Sequence, residues 1–388
     1  MNTCFDVAVI GAGLGGACAA LALRQRGARV AVFESAVFPR HKVCGEFLSP
    51  EIFETFARLG VAEEICAAQP AKVAQARIYA PDSNNTFVTE RSSSRSLKSQ
   101  SVEITLPRAG WGLSRFELDT ILWHAMQNAG VQTFSQTRIK NIARNDGFQL
   151  QSSDGFFNTR FVINAAGRNA RLNDSHNIEH SRSEVDTTRY VGFKAHFDNV
   201  RNYDGAVELH AFNGGYCGVG AIENGKVNVC ALARYETVDG RSPQDFWDWQ
   251  LSQSASLRAR MRGVTPTFPW IATANVRFGR RAPIENSVFN CGDSAGYIHP
   301  LTGDGMAMAA RGGELAAASI ASALRGEIST REAEELYTCA WHRAFKKRLR
   351  WATYLEKLLI APHLVDPALA VLQLTPSLAQ RAVLVTRG

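Results

Sequence analysis

The stretch Asp6-Val7-Ala8-Val9-Ile10-Gly11-Ala12-Gly13-Leu14-Gly15-Gly16, followed by an Ala-rich segment and then Arg29-Val30-Ala31-Val32-Phe33-Glu34, decides the fold. Val7 to Ile10 make an uninterrupted apolar run, the pattern of a parallel strand buried on both faces. Gly11, Gly13 and Gly16 follow at G-x-G-x-x-G spacing, where that strand should turn into a helix. The first glycine permits the tight turn, the second lets backbone approach a pyrophosphate, and the third lets helix and strand pack closely. The helix N-terminus then offers unpaired N–H groups and a favourable dipole to phosphates. Glu34 closes a second strand about 20 residues further on, where a carboxylate accepts hydrogen bonds from a ribose diol and repels a 2′-phosphate. Strand, glycines, small-residue helix, second strand and acid, in that order, predict a dinucleotide site for FAD or NAD.

At 388 residues the chain is long for one core, so two lobes and a helical tail are expected. Its 45% hydrophobic and 20% charged residues predict a soluble globular protein. The first strand begins by residue 6, leaving no room for a signal peptide, and no uncharged apolar stretch of about 18 residues occurs. A cytoplasmic protein is therefore expected, peripheral at most to the inner face of the membrane. The eight cysteines include no C-x-x-C pair, so neither a metal site nor a disulfide framework is expected, and most should be small buried hydrophobes. The net charge of +7 is dispersed except near the C-terminus, which argues against a nucleic-acid partner.

A helix is expected near residues 50–59, a polar Ser-rich loop over 82–101, and a second helix over 116–126 with apolar residues at 118, 121, 122 and 125. Residues 161–167 then resume the strand-into-turn chemistry of the N-terminal unit. From about 188 to 278 the pattern changes to alternating strands, as at 190–197 and 226–233, which predicts an antiparallel sheet covering a substrate cavity. The expected fold is α/β: a Rossmann-like dinucleotide domain with a mixed, mainly parallel sheet (1–72, 110–180 and 280–325), an antiparallel-sheet substrate domain (73–109 and 181–279) and a C-terminal helical segment (326–388).

More specific pieces stand on this frame: Pro39-Arg40-His41-Lys42-Val43-Cys44-Gly45-Glu46, Gly112-Leu113-Ser114-Arg115-Phe116-Glu117-Leu118-Asp119, and Cys291-Gly292-Asp293-Ser294-Ala295-Gly296-Tyr297-Ile298-His299-Pro300-Leu301-Thr302-Gly303-Asp304-Gly305-Met306. Together with the N-terminal glycines and Glu34, over roughly residues 5–325, they resemble the flavoprotein superfamily of aromatic hydroxylases, flavin-dependent halogenases and geranylgeranyl reductases. The resemblance implies FAD as cofactor, held by Gly11, Gly13, Gly16, Glu34, Arg40, Cys44, Gly45, Arg115, Asp293, Pro300, Gly303, Gly305 and Met306. It puts Asp293 at the ribityl and pyrophosphate region, wraps residues 300–306 around the flavin ring, and sets the Cys44 turn beside it. A thiol at Cys44, the candidate catalytic residue, could donate a proton or shape the pocket. Physics agrees at Gly303 and Gly305, which let backbone N–H groups approach a ligand at the start of an apolar helix.

Departures from the family narrow the chemistry. The Asp-Gly pair of aromatic hydroxylases is replaced by Ala165-Ala166-Gly167-Arg168, the paired-Trp motif of tryptophan-type halogenases is absent around Trp247-Asp248-Trp249, and the aromatic substrate segment of geranylgeranyl reductases is replaced by Gly215-Tyr216-Cys217-Gly218-Val219-Gly220. The expected activity is monooxygenation of an aromatic or polyketide-like apolar small molecule. The alternatives are ene reduction or dehydrogenation of a lipophilic or isoprenoid substrate, and a non-catalytic flavin electron carrier. With one dinucleotide fingerprint, NADH or NADPH would have to bind transiently over the flavin. Finally, apolar positions 341, 345, 349, 352, 355 and 359 recur at helical spacing among cations, so residues 341–359 form an amphipathic helix that could rest on a membrane or pack its stripe on the domain.

Overall fold

The computed structural model describes residues 4–81, 101–168, 188–200 and 203–360. The apolar run leads strand β1 (Cys4–Ile10), and the Gly loop opens helix α1 (Leu14–Gln25), which returns to strand β2 (Val30–Phe33). β1 lies at the centre of a parallel array: β2 and then Gln132–Phe134 on one side, Gly155–Asn164 and then Val288–Asn290 on the other. Val7, Ala8 and Val9 have no exposed surface, as strands covered on both faces must. An antiparallel meander, Ile139–Asn145 and Gly147–Ser152, is attached to Gly155–Asn164, and Ile284–Glu285 adds an antiparallel edge. The sheet is mixed and mainly parallel at its centre.

A second sheet of eight strands runs in the order Ile271–Val276, Tyr190–Phe197, Val227–Arg234, Gly215–Ala221, Val207–Phe212, Ala71–Tyr79, Ser101–Gly112, Phe47–Leu48. Its pairings are antiparallel except where Val207–Phe212 runs parallel to Ala71–Tyr79. The expected helices appear as Ile52–Leu59 and Arg115–Asn128. Of the expected loop, 82–100 lies outside the described residues, while Ser101 begins a strand. The cysteines depart from expectation: Cys18, Cys217 and Cys291 are buried, but Cys4, Cys66 and Cys339 are exposed.

Two helices cross so closely that side chains are excluded between them. α1 packs on Gly305–Leu324, and a Cβ at Gly313 would lie inside the van der Waals shell of the Gly15 carbonyl oxygen, while one at Gly15 would sit 2.8 Å from Cys291 Sγ. The long helix Thr330–Ile360 lays Trp341, Phe345, Leu349 and Ala352 into the same main core. Because the obstruction at Gly313 is backbone, it cannot rotate away. Gly313→Val should lower unfolding free energy by about 1–3 kcal/mol or more through overpacking, read as a lower urea midpoint at unchanged slope; a wild-type midpoint would refute the close crossing.

Candidate functional site

The fingerprint glycines serve three different geometries. Gly11 has φ +98°, and a Cβ there would be 2.5 Å from the Ala165 carbonyl oxygen. At Gly16 it would collide with the Gly11 carbonyl oxygen. Gly13 caps α1 without a side-chain hydrogen bond, and a Cβ there would meet only an Arg115 guanidinium nitrogen, at 3.7 Å. The chain itself leaves Gly13 room, so its lack of a side chain serves something that approaches the helix N-terminus. Glu34, 5% exposed, accepts from the N–H groups of Ala12 (3.0 Å) and Ala36 (2.9 Å), and Arg40 lies 3.5 Å away. Its carboxylate therefore braces the glycine loop as well as standing at the end of β2.

Arg115 opens the helix Arg115–Asn128, whose N-cap Ser114 accepts from the Glu117 N–H at 3.1 Å. Its buried guanidinium makes a bidentate pair with Asp119, both bonds 2.7 Å. Burial works against this charge, but the Asp119 carboxylate outweighs it and raises the pKa. A planar fork fixed in this way is preorganised for a phosphate.

On the far side, Asp293 sits in a short turn, Gly292–Ser294, laid against residues 164–167: the Cys291 N–H donates to the Asn164 carbonyl (2.9 Å) and Ser294 Oγ to that of Gly167 (3.0 Å). The turn Pro300–Thr302 ends at Gly303, φ +65°, and leads into the helix Gly305–Leu324. Asp304, buried at that helix entry, pairs with Arg348 of the long helix at 2.8 Å. Cys44 Sγ is 4.0 Å from Met306 Sδ and also within reach of the Arg115 guanidinium. Gly45 follows in the same turn, and a Cβ there would meet nothing. Gly13, Arg115, Cys44 and Met306 thus form a continuous line from the phosphate-ready helix terminus to the loop 300–306. A helix N-terminus and a guanidinium at one end and backbone N–H groups at the other suit the charges of FAD, so the residues present fit it.

Sequence reasoning did not find a buried ionic cluster behind the Cys44 turn. Glu46, 1% exposed with φ +57°, receives the Lys194 ammonium and the Arg115 N–H (2.6 Å) on one oxygen and His196 Nε2 (2.7 Å) on the other. Lys194 also donates to the Lys42 carbonyl at 3.1 Å. Burial pushes the Glu46 carboxyl up, but Lys194 and His196 outweigh it and hold it below the ordinary range. His41 stacks on Phe268 at 3.9 Å and meets His196 edge-on at 5.2 Å; burial and the Lys194 charge push it down to about 4. The available clue was Lys194-Ala195-His196, polar residues two apart within a strand that is buried throughout.

A model of the FAD-binding domain matches residues 4–341. The chain belongs to this FAD-binding family. Among its relatives, conditioned medium factor receptor 1 of Dictyostelium discoideum is 24% identical over 359 residues, 88% of this chain and 68% of that protein. Digeranylgeranylglycerophospholipid reductase 2 of Methanopyrus kandleri is 22% identical over 366 residues, 91% of this chain and 86% of that one. Among solved structures, a flavin-dependent brominase superposes with a TM-score of 0.78 at 17% identity, covering 99% of this chain and 93% of the brominase. At that identity the likeness is one of fold.

In this FAD-binding protein the second sheet, through Tyr190 and Tyr216, and Phe278 just beyond its strand Ile271–Val276 set an aromatic wall beside the loop 300–306. His299 is 2% exposed, with the rings of Phe278, Tyr216 and Tyr190 at 4.5, 5.9 and 6.1 Å. Its Nδ1 accepts the Leu301 N–H at 3.4 Å, which leaves the proton on Nε2, and Nε2 has no hydrogen-bond partner among the described residues. Burial pushes the imidazole down to about 3, so it is neutral near pH 7. Trp247, by contrast, is a core residue of the helix Pro243–Gln253, packed on Phe197 and Trp270.

Two outcomes test this geometry. Gly13→Val should fold with wild-type thermal stability as apoprotein but bind FAD roughly 100-fold or more weakly, about 3 kcal/mol, whereas Gly16→Val should fail to fold; flavin absorbance and apoprotein melting separate the two, and full FAD content in Gly13→Val would refute the cradle. Glu46→Gln should cost about 3–5 kcal/mol by leaving the Lys194 charge buried and uncompensated, and adding Lys194→Met should recover most of it. Urea denaturation of the four members of that cycle reads the coupling, and simple additivity would refute the buried pair.

Proposed function

We propose that this chain is an FAD-dependent monooxygenase that hydroxylates an aromatic or polyketide-like apolar small molecule. The observation that carries this reading is the wall of Tyr190, Tyr216, Phe278 and His299 beside the loop 300–306, apolar and shielded from water. Gly11, Gly13 and Gly16 would hold the pyrophosphate against α1, Glu34 and Arg40 the adenosine ribose region, Arg115 and Asp293 the phosphate and ribityl chain, and residues 300–306 with Cys44 and Gly45 the ring. Once reduced by a two-electron donor such as NADH or NADPH, FAD bound there would supply the two electrons that activate dioxygen. The N–H groups at the start of Gly305–Leu324 stabilise negative charge that develops beside them. A dry wall excludes the water that would divert an oxidising equivalent from substrate. His299, neutral and protonated on Nε2, offers a hydrogen bond to a substrate oxygen without burying a charge. NADH or NADPH, if the donor, would visit this face transiently, since no second fingerprint occurs.

One observation favours ene reduction as a second reading. Cys44 Sγ lies at the ring-facing loop, 4.0 Å from Met306 Sδ, and accepts the Glu46 N–H at 3.4 Å; a thiol so placed could deliver a proton to a substrate carbon. The Methanopyrus kandleri relative named above is called a reductase.

Reaction of anaerobically reduced enzyme with a panel of alkylated phenols and isoprenoid alkenes, with and without isotopically heavy oxygen gas, decides between them. Monooxygenation predicts product carrying one heavy oxygen atom whether or not chloride or bromide is present. Product formed without oxygen moves the assignment to ene reduction, and a halogenated product formed only with halide moves it to the chemistry of the brominase. Electron transfer to a partner with every small molecule unchanged moves it to a carrier.

A further inference from the structure

The second half of the long helix Thr330–Ile360 has two faces of opposite character. Trp341, Phe345, Leu349 and Ala352 are buried in the main core, so this part of the apolar stripe packs on the protein body and is not available to a membrane. At 3.6 residues per turn, Arg343, Lys346, Lys347, Arg350, Trp351 and Tyr354 fall within one arc of roughly 140° on the opposite side, and all six are exposed. Trp351 is 44% and Tyr354 59% exposed, their rings meeting edge to face at 5.9 Å. Residues 336–355 contain no Asp or Glu. The contrast within the helix is sharp: Arg331 pairs with Glu335 at 3.0 Å and inward-turned Arg348 with Asp304, whereas Arg343, Lys346, Lys347 and Arg350 have no acidic partner among the described residues.

We propose that this face docks the protein on an anionic lipid membrane. Four uncompensated cations supply the attraction to acidic headgroups. Trp351 and Tyr354 on the same arc are the amphipathic rings that settle at headgroup depth. Nucleic acid is the weaker fit, because a convex helix side offers neither a groove to track a backbone nor a flat platform for bases. No helix among the described residues is long and apolar enough to cross a membrane, and because the opposite face of this helix is packed in the core the contact made by the cationic face is peripheral. Its position gives it a use. The same helix lines one small cavity with Gly292, Asp293 and Gly305 through Trp341 and Phe345 and sets Arg348 against Asp304, so the docking face stands about one helix diameter, roughly 10 Å, from the loop 300–306. An apolar substrate could then travel between bilayer and site with little exposure to water. The docking itself does not depend on which reaction the site performs.

The test is flotation of the full-length, FAD-loaded protein with vesicles of phosphatidylcholine alone or mixed with phosphatidylglycerol, at low and high salt. The expected result is binding to the anionic vesicles only, lost at high salt. The triple variant Lys346→Glu, Lys347→Glu, Arg350→Glu should partition at least about 100-fold less, from about 1 kcal/mol per cation near the surface, while keeping wild-type flavin content and melting temperature. A neutralised set, Arg343→Gln, Lys346→Gln, Lys347→Gln and Arg350→Gln, gives the same reading without reversed charge. Bromine-labelled lipid should quench the wild type more than Trp351→Phe. Equal binding to neutral and anionic vesicles, wild-type binding by both charge variants, or displacement from vesicles by duplex DNA at lower concentration than by competing anionic vesicles would overturn the proposal.

Discussion

A carboxylate, an ammonium and an imidazole buried together at Glu46, Lys194 and His196 tie the two halves of this protein to one another. Glu46 belongs to the turn beside the cofactor line, Lys194 and His196 to the second sheet, and the Arg115 N–H that completes the shell opens the helix bearing the phosphate-ready guanidinium. None of these charges can return to water once the sheets close. Each is tolerable only because the others are in place, which fixes the register of the second sheet against the cofactor loop more sharply than apolar packing would. The left-handed conformation of Glu46 is a local strain of the kind that such a network can hold in place.

The same logic separates what the sequence disclosed from what it hid. The dinucleotide unit was legible because each requirement is local: an apolar run, glycines at fixed spacing and an acid at a strand end all fall between residues 6 and 34. Arg115 with Asp119, and the turn at Asp293 with the loop 300–306, were legible as motifs, but their meeting was not, since Cys44 and Met306 are 262 positions apart. Lys194 and His196 read as ordinary members of a strand because their partner is about 150 residues upstream. His299 stood in plain view inside a motif, yet its environment comes from Tyr190, Tyr216 and Phe278, which only the folded second sheet assembles. The amphipathic pattern at 341–359 identified the helix correctly and left its orientation open; the sheet and helix packing resolved which side faces inward.

Close backbone approach is the second organising constraint. α1 and the helix Gly305–Leu324 meet through Gly15 and Gly313, so the helix proposed to receive the phosphates and the helix proposed to close on the flavin ring are set at a fixed spacing with little side-chain slack. Arg348 on Asp304 extends that framework to the long helix. The two ends of the proposed cofactor line are therefore referenced to one another through packed helices.

The strand order of the first sheet carries a consequence for how the chain is made. β1 occupies the middle of the array, and its neighbour on one side, Gly155–Asn164, is synthesised long after it, with Val288–Asn290 later still. At roughly 5–20 residues per second, a ribosome needs on the order of 8–30 s after completing β1 to deliver the strand that covers its open edge. Throughout that interval an apolar edge made of Val7, Ala8, Val9 and Ile10 is unpaired in the nascent chain. The architecture that gives the glycine loop its central seat thus leaves one edge of its first strand open to pairing with other chains while the protein is being made.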